Sequence, residues 1–125
     1  MELEHYIPLE KESYNDYIER IKFSRENKRP KGVYMERHHI IPKSMGGNNK
    51  KENLIYLFPS EHYYAHRLLA IENPKEHKLV TAWFLVCHMK TKWNDWKKLT
   101  AEQYEEARKA FAESLSAFNK EHGVS

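Results

Sequence analysis

Apolar and polar positions alternate along this chain with two different periods. Over residues 11–27, Tyr14, Tyr17, Ile18 and Ile21 recur on one helical face, which predicts an amphipathic helix. Pro30 and Gly32 in "KRPKG" end it. "VYMERHHII" (33–41) then reads as a strand rich in β-branched and aromatic residues, "PKSMGGNNKKEN" as a turn-rich connection, and "LIYLF" (54–58) as a second short strand. Pro59 and Ser60 open a further helix, with Ser60 as its expected N-cap, carrying "EHYYAHRLLAIE" and stopping near "NPKE". "HKLVTAWFLVCHMK" is apolar nearly all round and predicts a buried helix. A polar, basic connection, "TKWNDWKK", leads to a last helix. That helix opens on a capping box, Thr100 to Gln103, and should pack inward through Tyr104, Ala107, Phe111, Leu115 and Phe118. The expected class is α+β and mostly helical: a two-stranded hairpin and a helix, flanked by an N-terminal helix (9–32 with its basic linker) and two C-terminal helices (75–122).

Composition narrows this picture. At 125 residues the chain is expected to form a single domain over 1–125. With 40% hydrophobic and 31% charged residues it is too apolar for general disorder. The start, "MELEHYIPLEKE", is acidic and has no apolar core like that of a signal peptide. No apolar stretch is long enough to span a bilayer, so the expectation is a soluble cytoplasmic protein with no membrane partner. The one cysteine, Cys87, excludes an internal disulfide or a CxxC zinc knuckle and reads as a small buried hydrophobe.

The net charge of +3 conceals an asymmetry. Residues 20–51 hold ten basic side chains against Glu26 and Glu36, so that segment carries +8 and the rest of the chain −5. Such a block suits a polyanion-binding surface.

Histidines concentrate where the block ends. His38 and His39 are adjacent at the end of the first strand, and His62 and His66 lie four apart on the following helix. The i,i+4 spacing puts two imidazoles on one face, one turn apart, where they can chelate one ion. A strand–loop–strand–helix segment can bring a third ligand, His38 or His39, to that pair. Adjacent strand residues point to opposite faces, so for both to serve one site the strand must end or bend there; Pro42, Gly46 and Gly47 suit that.

"HHIIPKSMGGNNKKENLIYLFPSEHYYAH" resembles the HNH endonuclease motif, the ββα-metal module of phage, homing and colicin-type nucleases. The resemblance covers residues 33–71. It rests on the paired histidines with following Ile and Pro, the Gly-Gly loop, the "ENL" asparagine and the HxxxH helix, and Glu36 matches an acidic residue found two places before the pair in some members. The resemblance implies His39 as general base, His38, His62 and His66 as metal ligands, and Asn53 as the asparagine that braces the catalytic loop. The zinc-knuckle cysteines of other branches are missing, and the three histidines look closer to the colicin-type arrangement. The activity that the resemblance implies is that of a metal-dependent DNA endonuclease with one divalent ion: Mg²⁺, Mn²⁺, Zn²⁺ or Ni²⁺.

The chemistry suits those residue types. An imidazole ordinarily titrates near 6.5 and can accept a proton from water at cellular pH. A bound cation can neutralise charge on the phosphate and on the departing oxygen. Glu36 and Arg37 are candidates for supporting the site, Arg37 by contacting phosphate. Double-stranded DNA would meet Arg29, Lys31, Lys43, Lys50, Lys51 and, on the HxxxH helix, Arg67. Trp93 and Trp96 among Lys90, Lys92, Lys97 and Lys98 could stack on bases or anchor helices to the core. A homodimer or a phage protein partner would add to a weak sequence preference. The competing readings are a DNA-binding or inhibitory protein that keeps the fold with dispensable catalysis, and a small zinc-stabilised structural domain.

Overall fold

A computed structural model describes residues 4–26, 28–88 and 100–123. Its elements are α1 (Tyr14–Arg25), β1 (Glu36–His39), β2 (Leu54–Leu57), α2 (Pro59–Glu72), α3 (His77–Val86) and α4 (Ala101–Glu121), in the expected order and class. The tryptophan-containing connection with Trp93 and Trp96 lies outside the described residues.

Helix α1 starts three residues later than periodicity alone suggests. Ser13 caps it, its Oγ accepting from Asp16 N at 3.1 Å. Tyr14, Tyr17, Ile18 and Ile21 form its buried face as expected. They pack with Ile55 and Leu57 of β2 and with Ala65, Leu68 and Leu69 of α2. Each large apolar side chain so buried contributes roughly 1.5–3 kcal/mol.

The hairpin is antiparallel, with Glu36 opposite Leu57, His38 opposite Ile55 and His39 opposite Leu54. Its first strand is shorter than the 33–41 run. One more rung, Ile40 N to Asn53 O at 2.8 Å, ends the pairing before Pro42 turns the chain away into a 3₁₀ turn, Lys43–Met45. Gly46 closes that turn at φ +93°, a conformation open to glycine. At Gly47 the backbone passes so close that a Cβ would lie 1.7 Å from the Ile41 carbonyl oxygen.

The N-cap of α2 is Phe58, and the expectation for Ser60 is corrected. Pro59 takes the first helical position, where its fixed φ and missing N–H cost nothing, and this moves Ser60 inside the first turn. Glu61 supplies the cap instead, Oε1 accepting from Phe58 N at 2.9 Å. The opposite side of α2 carries a second cluster, in which Tyr63 and Ala70 pack with Val80, Trp83 and Val86 of α3 and Ala107 of α4.

Helix α3 is buried on one side only, since Leu85 is 58% exposed. Cys87 is half-buried rather than part of the core, and its Sγ donates to Trp83 O at 3.4 Å. The capping box at Thr100 and Gln103 forms as expected, with bonds of 3.0 and 3.1 Å. Of the five residues expected to face inward on α4, Ala107 is fully buried, whereas Tyr104, Leu115 and Phe118 stay more than a third exposed. The helix rides on the outside of α3, and Phe111 stacks on Phe84 at 4.5 Å. Among the described residues, no helix is long and apolar enough to cross a membrane.

Candidate metal centre and active site

Helix α2 lies against the hairpin so that His62 and His66 face the end of β1. His38 from β1 completes a group in which one nitrogen from each of the three rings lies within 4.8 Å of the others. Ring centroids are 5.2 Å apart for His38 and His62, 5.0 Å for His38 and His66, and 4.8 Å for His62 and His66. The Nε2 atoms of His62 and His66 face each other at 3.1 Å. Burial, reinforced by the neighbouring His66, His62 and His39, holds His38 well below the ordinary 6.5. Its imidazole is therefore neutral and keeps a lone pair.

The far side of the His62 ring is held by polar groups. His62 Nδ1 lies 2.8 Å from Glu36 Oε1, and a carboxylate can only accept, so Nδ1 carries the proton and Nε2 presents its lone pair to the group. Glu36 is oriented in turn by the Tyr34 hydroxyl, which donates to Oε2 at 2.9 Å. Burial and Glu36 push Tyr34 up to about 12, so that hydroxyl remains a donor. A carboxylate behind a ligating histidine fixes its tautomer and raises its basicity. Three imidazoles converging on one point, one neutral by burial and one backed by a carboxylate, fit a divalent cation.

His39 is directed differently. It is half-exposed, and its Nε2 lies 2.7 Å from Asn49 Oδ1. With an amide oxygen as acceptor, Nε2 donates and Nδ1 is left to take up a proton. The expected bend is present: β1 ends at His39, and His38, His39, His62 and His66 line one cleft of about 230 Å³ together with Arg37, Pro42 and Lys43. Sequence reasoning assigns nothing to Asn49. Its signal is faint, the second of two asparagines after the Gly-Gly turn, ten residues from the ring it holds.

Asn53 is buried, with its amide fully occupied by backbone. Oδ1 accepts from Ile41 N at 2.8 Å, and Nδ2 donates to Ile41 O at 3.1 Å and Asn48 O at 2.8 Å. It touches the loop rather than the cleft. Asn53→Ala strips partners from three backbone groups and should cost about 2–3 kcal/mol, measurable by urea unfolding of the metal-free protein.

Residues 24–67 match the HNH endonuclease family. Residues 24–67 are an HNH endonuclease domain. It is 38% identical over 96 residues to "Probable mobile endonuclease E" of Enterobacteria phage T4, covering 77% of this chain and 64% of that protein. It is 34% identical over 109 residues to "Probable mobile endonuclease D" of the same phage, covering 86% and 42%. Over 64 residues it is 47% identical to "Uncharacterized 38.5 kDa protein in psbA intron 1" of Chlamydomonas moewusii, 50% of this chain and 17% of that one. The chain thus spans less than two thirds of each of these relatives. No solved structure matches it significantly.

Around the HNH cleft the basic residues differ in what they meet. Arg37 and Lys43 line the cleft, and Lys31, Lys50 and Lys51 are exposed. Arg29 is exposed too and lies over the Tyr56 ring at 5.1 Å. Two members of the basic block serve the fold instead: Arg20 pairs with Glu12, and Arg25 with Glu61. Arg67 is tethered, its Nε and Nη2 donating to the Glu106 carboxylate of α4 at 2.9 and 3.1 Å.

Proposed function

We propose that the chain hydrolyses phosphodiester bonds of double-stranded DNA as a metal-dependent HNH endonuclease, acting as a single domain around the motif at 33–71. The observation that carries this reading is that His38, His62 and His66 converge in the cleft that His39 also lines. A divalent cation held by His38, His62 and His66 would neutralise charge on the phosphate and on the leaving oxygen. His39, its Nε2 held by Asn49, accepts the proton of the attacking water at Nδ1. Arg37 and Lys43 draw the backbone phosphate into the cleft. Lys50 and Lys51 extend the positive face, with Arg29 and Lys31 beside it; Arg67 joins only if Glu106 lets it go.

The donor set bears on which cation. Three imidazole nitrogens suit Zn²⁺ or Ni²⁺ better than the oxygen-preferring Mg²⁺ and Mn²⁺. Zn²⁺ and Ni²⁺ should therefore bind most tightly. The test is supercoiled plasmid incubated with the protein in EDTA, Mg²⁺, Mn²⁺, Zn²⁺ and Ni²⁺ in parallel. Relaxed or linear product with a divalent ion and none in EDTA is the expected result. Intact plasmid under every condition, from folded protein that still shifts DNA in a gel, would instead favour a binding or inhibitory role.

A further inference from the structure

Helix α1 ends the chain of contacts behind His38, and most of it lies ahead of the family-matched segment, which begins at residue 24. Tyr14, at its first turn, is 4% exposed, and its hydroxyl makes two contacts. It donates to the Ile40 carbonyl oxygen at 2.6 Å, and it lies 2.8 Å from His38 Nε2. A phenol has one proton. The short bond to Ile40 uses it, so the oxygen must accept from His38, and His38 carries its proton on Nε2.

We propose that Tyr14 is a positioning residue of the metal centre, holding the His38 ring so that Nδ1 is the nitrogen offered to the cation. This rests on the reading of His38, His62 and His66 as ligands. The His38 ring is then braced as the His62 ring is, but from a separate element: Glu36 stands behind His62, and Tyr14 behind His38. The hydroxyl also ties His38 to the backbone of Ile40, two residues on, where the strand leaves the hairpin. Tyr14 itself is fixed at the backbone, its N–H donating to Glu72 Oε2 at the end of α2 at 2.6 Å. One residue of α1 thus spans both elements that carry the ligands, β1 and α2.

The consequence is that metal affinity depends on α1. Removing the hydroxyl frees the His38 ring to rotate and to exchange tautomers, and loss of such an outer partner typically costs 10- to 100-fold in metal affinity. Tyr17 supplies the control. It is one turn further along the same buried face, and its hydroxyl donates to Tyr6 O at 2.8 Å rather than meeting a histidine of the group.

The experiment compares wild type, Tyr14→Phe and Tyr17→Phe by calorimetric titration with Zn²⁺ and with Ni²⁺. Side-chain ¹⁵N shifts of the histidines are read before and after loading, and urea unfolding of the metal-free proteins is run alongside. The expected result is a 10- to 100-fold weaker Kd for Tyr14→Phe alone, with both variants folded. In metal-free wild type His38 should be protonated on Nε2, and in the loaded protein bound through Nδ1. Equal affinities in wild type and Tyr14→Phe, or binding through His38 Nε2, would overturn the role of Tyr14. A wild type that binds neither ion would overturn the ligand assignment on which it stands. Should Tyr14→Phe not fold, the tautomer and the bound nitrogen in wild type still decide.

Discussion

His39→Ala should slow plasmid cleavage by about 10²- to 10⁴-fold, the range by which a positioned general base contributes, and leave both the fold and metal affinity close to wild type. The reasons are geometric. His39 is half-exposed at the end of β1, and its ring makes one hydrogen bond, to Asn49. Its loss opens no core cavity and removes none of the three nitrogens that converge in the cleft. His62→Ala is the contrasting variant, since it removes a proposed ligand and leaves Glu36 buried without the ring it faces; metal affinity and activity should fall together. Single-turnover cleavage with saturating protein, paired with calorimetric metal titration, separates the two. Loss of rate with metal affinity intact assigns the base to His39. A His39→Ala protein that cuts at the wild-type rate would place the base elsewhere. Asn49→Ala should act in the same direction by a smaller factor, because the ring remains and only its orientation is relaxed.

Much of the site can be read from the sequence because it depends on local periods. The four-residue spacing puts His62 and His66 together on any α-helix. The Pro and Gly-Gly signals imply that the strand stops near His39, where β1 does end. The fold class comes from the same patterns. The partners that fix each ring are not legible in this way, since they come from distant parts of the chain: Glu36 is 26 residues from His62, and Tyr14 is 24 from His38. Tyr14 is visible as a core position, and burial of a phenol does not reveal where its hydroxyl points. The basic block misleads for a related reason. Composition counts Arg25 as surface charge, whereas the fold places it in the interior against Glu61. Arg67 looks available on the HxxxH helix until α4, 39 residues on, brings Glu106 to it. Ser60 shows a local error: a good capping residue loses its place when the preceding proline claims the first turn.

Arg25→Met should destabilise the protein by about 3–5 kcal/mol, the usual cost of stranding one member of a buried ion pair. Glu61 is wholly buried and Arg25 only 8% exposed. The guanidinium meets the carboxylate with both ends, Nη1 on Oε1 at 2.8 Å and Nη2 on Oε2, and it lies over the Phe58 ring at 4.7 Å. Methionine fills much of the space and supplies no charge. Glu61 keeps its bonds from Phe58 N and Tyr6 N, each 2.9 Å, which limits the loss without neutralising the carboxylate. Chemical unfolding in EDTA measures the effect, and thermal scans should show a midpoint lower by roughly 10–20 °C. Adding Glu61→Gln to Arg25→Met should recover part of the stability, because an amide can still accept from Phe58 N and is far less costly to bury than a carboxylate. If the double variant is no more stable than Arg25→Met, the cost comes from lost packing and not from the uncompensated charge. The pair also bears on the site. Glu61 precedes His62 in the first turn of α2, and Arg25 closes the last turn of α1, whose first turn holds Tyr14. The contact that seats α1 on α2 is thus connected, through Tyr14, to the placement of His38 against the HxxxH pair. Once Arg25→Met is cooled far enough to be fully folded, a metal affinity equal to wild type would show that the hairpin alone can hold that distance. A weaker one would show that α1 is part of the metal centre.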